Sequence, residues 1–285
     1  MYAFGEEGNM IINQTDYKLC LLDTNALTSF IQNPIKWIEY LKSCFPVKNI
    51  VVCYSIFSVC ELWYRQEIFE KYFDIFSWYP SLVLDGHESI LKKEVFNYAN
   101  SQLIDPILIS PLGIKEDGCS QKELLIKLFT NKEFIERTHY WKKQESLVLN
   151  SIIGMKKNYK PKNGSYSKKE IEFFNYVVSL EQIGLRAKEF AKSKLKNKEV
   201  INVNKFPSVK MTAYMVFYKF YPDNRNPDNS DVFDFIITSI CPYIDCIITE
   251  GNVCNIINKI KRNHKLLNGI QAFSLKDIVK EINSM

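Results

Sequence analysis

Residues 18–27 read KLCLLDTNAL. Apolar residues run from Leu19 to Leu22, stop at Asp23-Thr24-Asn25, and resume at Ala26. A short continuous apolar run after the turn-like NQTDY (13–17) predicts a strand buried on both faces. Its far end carries a carboxylate, a hydroxyl and an amide. Such a triplet can cap a helix that follows the strand. It can also face a ligand, because ligands of parallel sheets sit outside the carboxyl ends of the strands. The rest of the chain has to decide between them.

Working outward, residues 34–44 (PIKWIEYLKSC) start on Pro and space Ile35, Ile38 and Leu41 as a helix does. Residues 50–54 (IVVCY) form a second buried strand. Ser55 is placed to cap one helix running through VCELWYRQEIFEKYF. Strand and helix therefore alternate as a parallel α/β sheet requires. The alternation returns near the other end. Residues 230–241 read as a helix with Ser230 as its N-cap. Residues 244–249 (IDCIIT) read as a strand, 252–262 as a helix, 270–273 as a short strand, and a last helix follows Ser274. Between them, 81–100 gives a short extended piece and a helix, DPILISPLG (105–113) is Pro-bounded and extended, and 120–220 is mostly helical. An exposed loop is expected at 158–167. The expected organisation joins residues 1–75 and 228–285 into one α/β domain, with 76–227 as a largely helical, partly basic insertion.

The chain has 285 residues, enough for a sizeable core. No run of about 18 apolar residues is free of charge, so no membrane association is expected. The first ten residues hold acids and no basic stretch, unlike a secretory signal. None of the eight cysteines forms a CxxC pair and most sit in apolar runs, as reduced core cysteines of a cytoplasmic protein do. The three histidines are far apart and lack zinc spacing.

Carboxylates gather at the predicted carboxyl edge. Asp23 ends the first strand. Glu61 lies in the first turns of the helix after the second. Asp231 and Asp234 are one turn apart on one helix face, and Glu250 follows the strand 244–249. Two carboxylates 4 Å apart repel by about 4 kcal/mol at an effective dielectric of 20. Such a group is either partly protonated or joined by a cation. Oxygen-only ligands suit Mg²⁺ or Mn²⁺, and two such ions can activate water and stabilise a leaving oxygen. Thr24, Asn25 and Thr249 then support the cluster. Asp245, inside a strand, reads as structural. An aspartyl phosphatase is excluded, because Asn25 stands where its second acid is needed.

Four motifs in this order resemble those of PIN-domain nucleases: LLDTNAL (21–27), SVCEL (58–62), the Asp-x-x-Asp of SDVFD (230–234), and PYIDCIITEGN (242–252). The resemblance covers residues 18–75 and 228–280. It implies a three-layer α/β/α fold and metal-dependent hydrolysis of nucleic acid, usually RNA. Carried over to this sequence, Asp23, Glu61, Asp231 and Glu250 are catalytic metal ligands with Asp234 assisting. The role can be RNA processing, a toxin or antiviral defence, and a protein partner or inhibitor can accompany it. The fourth motif departs from the family: Glu250 follows Thr249 directly, where many members carry Asp two residues after Thr. One or two ions both remain open, as do a DNA substrate and a non-catalytic RNA-binding scaffold.

The charge is divided. Residues 141–210 hold 16 Lys and Arg against 6 Asp and Glu, a local +10, so the rest of a chain of net +5 carries −5. Lys156, Lys157, Lys160, Lys162, Lys168 and Lys169, interleaved with Tyr159 and Tyr166, are expected to bind nucleic acid. The lysines would meet phosphates and the tyrosines would stack on unpaired bases. A solvated helical face is the plain alternative.

Overall fold

The structure is a computed structural model. It describes residues 2–4, 10–12, 15–43, 49–79, 81–100, 103–109, 120–162, 164–267 and 269–284. Cys44, Cys119 and residues 110–113 of the Pro-bounded stretch lie outside the described residues. The six described cysteines are free and buried.

The strands are β1 (Tyr2–Phe4), β2 (Met10–Ile12), β3 (Thr15–Leu22), β4 (Ile50–Ser55), β5 (Leu82–Leu84), β6 (Ile107–Ile109), β7 (Cys246–Thr249) and β8 (Gln271–Ser274). Six of them form a mostly parallel sheet in the order β6-β5-β4-β3-β7-β8, with only β6 antiparallel. β1 and β2 extend it as an antiparallel pair on the first residues of β3. The order reverses between β3 and β7: from β3 the chain moves one way through β4 and β5, then returns to β7 and β8. That reversal is where a crevice opens at the carboxyl edge of a parallel sheet. Leu19–Leu22 and Cys246–Thr249 are buried throughout, as strands covered on both faces must be.

The first helices are α1 (Thr24–Gln32), α2 (Pro34–Ser43), α3 (Ile56–Trp63), α4 (Gln66–Phe76), α5 (His87–Phe96), α6 (Gln121–Thr130) and α7 (Lys132–Asn158). They are followed by α8 (Lys168–Arg186), α9 (Lys188–Lys196), α10 (Pro207–Phe220), α11 (Asn229–Thr238), α12 (Gly251–Asn263) and α13 (Leu275–Ser284). One set packs as α1, α2, α4 and α13; another packs as α8, α10, α11 and α12. This mixed α/β arrangement is consistent with α/β/α layering. No helix among the described residues is long and apolar enough to cross a membrane.

Two local readings need correction. The single helix expected after Ser55 is two. Ser55 caps α3, its Oγ accepting from Phe57 N at 3.2 Å, but Arg65 leaves the helical region (φ −119°, ψ 72°) and α4 starts afresh. The N-cap of α11 is Asp228, not Ser230. A capping box forms instead, in which Asp228 accepts from the backbone and Asp231 reaches back to Asp228 N at 2.8 Å. The extended pieces expected within residues 76–227 form β5 and β6, which extend the same sheet outward from β4, and the same stretch supplies the buried helix α10. Met211, Met215, Phe217 and Phe220 of α10 belong to the same buried cluster as the strands' apolar residues.

Candidate functional site

Register sets the site. Leu22 pairs with Tyr54 of β4 and with Ile248 of β7, so the next residues, Asp23, Ser55 and Thr249, reach the carboxyl edge together. Asp23 is the N-cap of α1, and its Oδ1 accepts from Ala26 N at 2.7 Å. Its Oδ2 accepts from Thr249 Oγ1 at 2.6 Å and from Glu250 N at 3.2 Å. The capping role and the site role thus fall on one residue. Asp23 is 7% exposed. Burial pushes its pKa up from 3.8 to about 6, against the three hydrogen bonds, and the charge of Asp234 adds to the rise.

Thr24 and Asn25 reach the neighbouring acids. Thr24 Oγ1 donates to Glu61 Oε2, and Asn25 Nδ2 donates to Glu250 Oε1 at 2.5 Å. Burial raises Glu61 from 4.5 to about 7; Thr24 and Arg65 oppose this, and Asp234 and Asp23 add to it. Asp234 is raised by burial, lowered by Lys219, and raised by Glu250 and Asp231. Asp23, Glu61, Asp234 and Glu250 therefore share one electrostatic field at the β3–β7 crevice. Glu250, at the N-cap position of α12, is exposed.

Asp231 lies deeper, 0% exposed. Its Oδ2 closes the capping box, and its Oδ1 is 2.6 Å from Lys219 Nζ and 3.0 Å from Arg225 Nη2. Lys219 Nζ also lies 2.5 Å from Asp234 Oδ2. Asp231 is thus the counter-ion of two cations rather than part of the open group. Asp245 sits at the opposite edge, accepting from Leu19 N at 2.8 Å and pairing with Lys18 at 3.3 Å.

Donor chemistry fits a hard divalent cation: all the candidate ligands are carboxylates, and two of them are held with their charged form unfavourable. Among the described residues, no three His, Cys, Asp or Glu side chains are gathered closely enough to hold an ion. The Thr24 hydroxyl, the Asn25 amide and the Lys219 ammonium now occupy oxygens that an ion would take over.

These shifts predict a pH dependence. Asp23 and Glu61 bind a proton more tightly folded than unfolded. The penalty is complete above about pH 7, where the two shifts cost about 3 kcal/mol each. It is relieved as pH falls through about 7 and then 6 toward the ordinary values of 4.5 and 3.8. His87 and His264, whose pKa values burial lowers, lose stability over the same range, so the test compares metal-free wild type with Glu61→Gln. Wild type is expected to gain stability to urea relative to the variant between about pH 8 and 5.5. A difference between the two that is flat or falls over that range counts against the buried cluster.

The basic segment divides on inspection. Lys157, Lys160, Lys168 and Lys169 are exposed. Lys156 instead donates to the carbonyl of Arg225 at 2.7 Å, and so ties the end of α7 to the loop before α11. Lys162 pairs with Glu170 at 2.5 Å and lies over the Tyr166 ring. Tyr159 packs edge-on to Phe174, and Tyr166 packs edge-on to Phe217, with centroids 6.1 and 5.0 Å apart. Both tyrosines are half-buried, so each has part of its ring committed to the core. Sequence reasoning passed over Lys219, Arg225 and Arg65. The signal for Lys219 is a lone cation inside the apolar run AYMVFYKF, one turn-loop ahead of a helix that presents two aspartates.

Comparison with family models, with curated proteins and with solved structures found no match to this chain.

Proposed function

We propose that this protein is a PIN-like, divalent-metal-dependent nuclease that hydrolyses RNA phosphodiesters. The observation that carries the proposal is the group Asp23, Glu61, Asp234 and Glu250. It is drawn from β3, α3, α11 and the end of β7 to the reversal point of a parallel sheet, and burial and mutual repulsion push Asp23 and Glu61 to about 6 and 7. In this proposal those four carboxylates, no three of which are gathered closely enough in the structure to hold an ion, would draw together on Mg²⁺ or Mn²⁺ as it displaces their present hydrogen-bond partners. The bound ion supplies an activated water and charge stabilisation at the leaving oxygen. Thr249 and the Glu250 backbone fix Asp23. Thr24 and Asn25 aim Glu61 and Glu250. Asp231 positions Lys219 and the start of α11, and through them Asp234. The exposed lysines of the basic segment would draw the polyanion toward an edge that by itself repels it. A toxin or antiviral effector is the biological setting the resemblance suggests.

A second reading has its own observation. Lys219 already gives Asp231 and Asp234 a fixed positive charge. A scaffold that binds RNA without cutting it could use the ammonium in place of an ion.

One experiment separates the two. Labelled single-stranded RNA and DNA of one sequence are incubated with the protein in Mn²⁺ and in EDTA. The nuclease cuts RNA in Mn²⁺ and nothing in EDTA. Preferential cutting of DNA moves the substrate, while RNA retained in EDTA and left intact in Mn²⁺ establishes the scaffold. Under either reading, binding in Ca²⁺ should weaken with salt by about 0.7 log units per phosphate neutralised, per log unit of salt. Replacing Lys157, Lys160, Lys168 and Lys169 by Gln should flatten that slope. An unchanged slope removes these lysines from the interface.

A further inference from the structure

A cavity of about 220 Å³ lies among α5, α7, α8, α10 and α11, apart from the carboxylate cluster. Ile152, Val178, Val216 and Phe235 give it a largely apolar wall. Arg186, the last residue of α8, and His87, the first of α5, also line it. Nε and Nη2 of Arg186 and Nδ1 of His87 are shielded from solvent and have no hydrogen-bond partner. The two acids that influence Arg186 do not pair with it. Glu88 is exposed, and Glu94 is held by Ser208 N and Oγ and by Tyr243 Oη at 2.6–2.7 Å. A shielded guanidinium without a counter-charge costs several kcal/mol, and buried polar groups of folded proteins nearly always have partners.

A second feature points the same way. The amino end of α5 borders the cavity, and its N-cap is Gly86, which makes no side-chain capping bond. A Cβ at Gly86 would come within 2.6 Å of Phe57 Cε2, so no capping side chain fits there. Glu88, the acid of that helix's first turn, also lines the cavity but is exposed to solvent, so the helix end keeps part of its positive character for a further anion.

The ligand's chemistry follows from the lining. Arg186 is a single cation, burial holds His87 neutral, and Glu88 and Glu94 lie near, so one negative charge suits the site better than two. A planar carboxylate matches the guanidinium fork. The volume equals that of about seven liquid waters, at about 30 Å³ each, which admits a small organic acid and excludes a nucleotide.

We infer that this cavity binds a small monocarboxylic acid, with its carboxylate on Arg186 and its hydrocarbon against the apolar wall. Phe235 belongs to α11 and directly follows Asp234, so the bound acid would rest on the helix that carries one of the cluster's carboxylates. The inference does not depend on the proposed nuclease activity.

The test uses benzoate and octanoate as probes, with benzamide and octanamide as uncharged counterparts, read by thermal melting and by calorimetry. At least one acid is expected to bind saturably by calorimetry and to raise the melting temperature in proportion to the logarithm of its concentration, and its amide is expected to do neither. Arg186→Gln should weaken binding of that acid at least about tenfold, while the ligand-free variant melts at or above wild type. Ser151→Phe, at an exposed position on the cavity's rim, should also abolish the response and leave the fold unchanged. Equal responses to acid and amide, or no response to either acid, overturn the inference. So does a response that survives Ser151→Phe, or an Arg186→Gln protein that melts well below wild type, which would make Arg186 a structural cation.

Discussion

Asp23→Asn is expected to lower RNA cleavage in Mn²⁺ by about 10³-fold or more while the protein stays folded, since a lost metal ligand removes several kcal/mol of transition-state stabilisation. The fold should survive because Asn keeps the cap: its Oδ1 can still accept from Ala26 N. The Thr249 hydroxyl can turn to accept from the new amide. Only the bond from Glu250 N is lost, at about 1 kcal/mol. Against that, the variant no longer carries a buried charge whose raised pKa costs about 3 kcal/mol at pH 8. Metal-free Asp23→Asn should therefore melt at or above wild type. Near-wild-type cleavage by the variant would remove Asp23 from the chemistry, and a variant that melts far below wild type would make it chiefly a structural cap.

Lys219→Met is expected to destabilise the protein by about 3–5 kcal/mol, the usual cost of removing one partner from a buried ionic group. Methionine matches the lysine stem, and α10 is apolar around it, so the loss isolates the charge. Asp231 would keep Arg225 at 3.0 Å, but Asp234 would lose its nearby cation and face Glu250 unbalanced. Adding Asp234→Asn to Lys219→Met should recover part of the loss. Urea unfolding of the single and double variants measures both effects. A single-variant loss below about 1 kcal/mol would mean that the ammonium does not hold the aspartates in place.

The sheet edge was legible because burial on both faces writes a continuous apolar run, and the residue that breaks the run marks the strand's end. LCLL–Asp23 and CIIT–Glu250 both carry that mark. β5 and β6 have three residues each, so their sequence shows extended pieces but not which strands they pair with, and residues 76–227 read as an insertion rather than as part of the sheet. The break between α3 and α4 falls at Tyr64–Arg65, with neither Gly nor Pro to announce it. Ser230 and Asp228 are both good caps, and Asp228 takes the position because Asp231 can answer it from three residues on. Lys219 escaped notice because a lysine in an apolar helix usually extends its stem and keeps its charge in water. Here the charge turns inward to two aspartates, a contact spanning 12 and 15 residues that no local pattern records. Tyr159 and Tyr166 look free in a lysine-rich loop, yet Phe174 and Phe217, on helices further along the chain, fold against them.

The central claim is that the carboxylate edge at β3 and β7 holds a divalent ion. Calorimetric titration of the protein with Mn²⁺ tests it most directly. The account predicts saturable binding at pH 7.5, weakened at least about tenfold at pH 5.5 as protons compete for Asp23 and Glu61, and abolished or nearly so in Asp23→Asn. Absence of binding at pH 7.5, or binding equally tight at both pH values and in the variant, would contradict it.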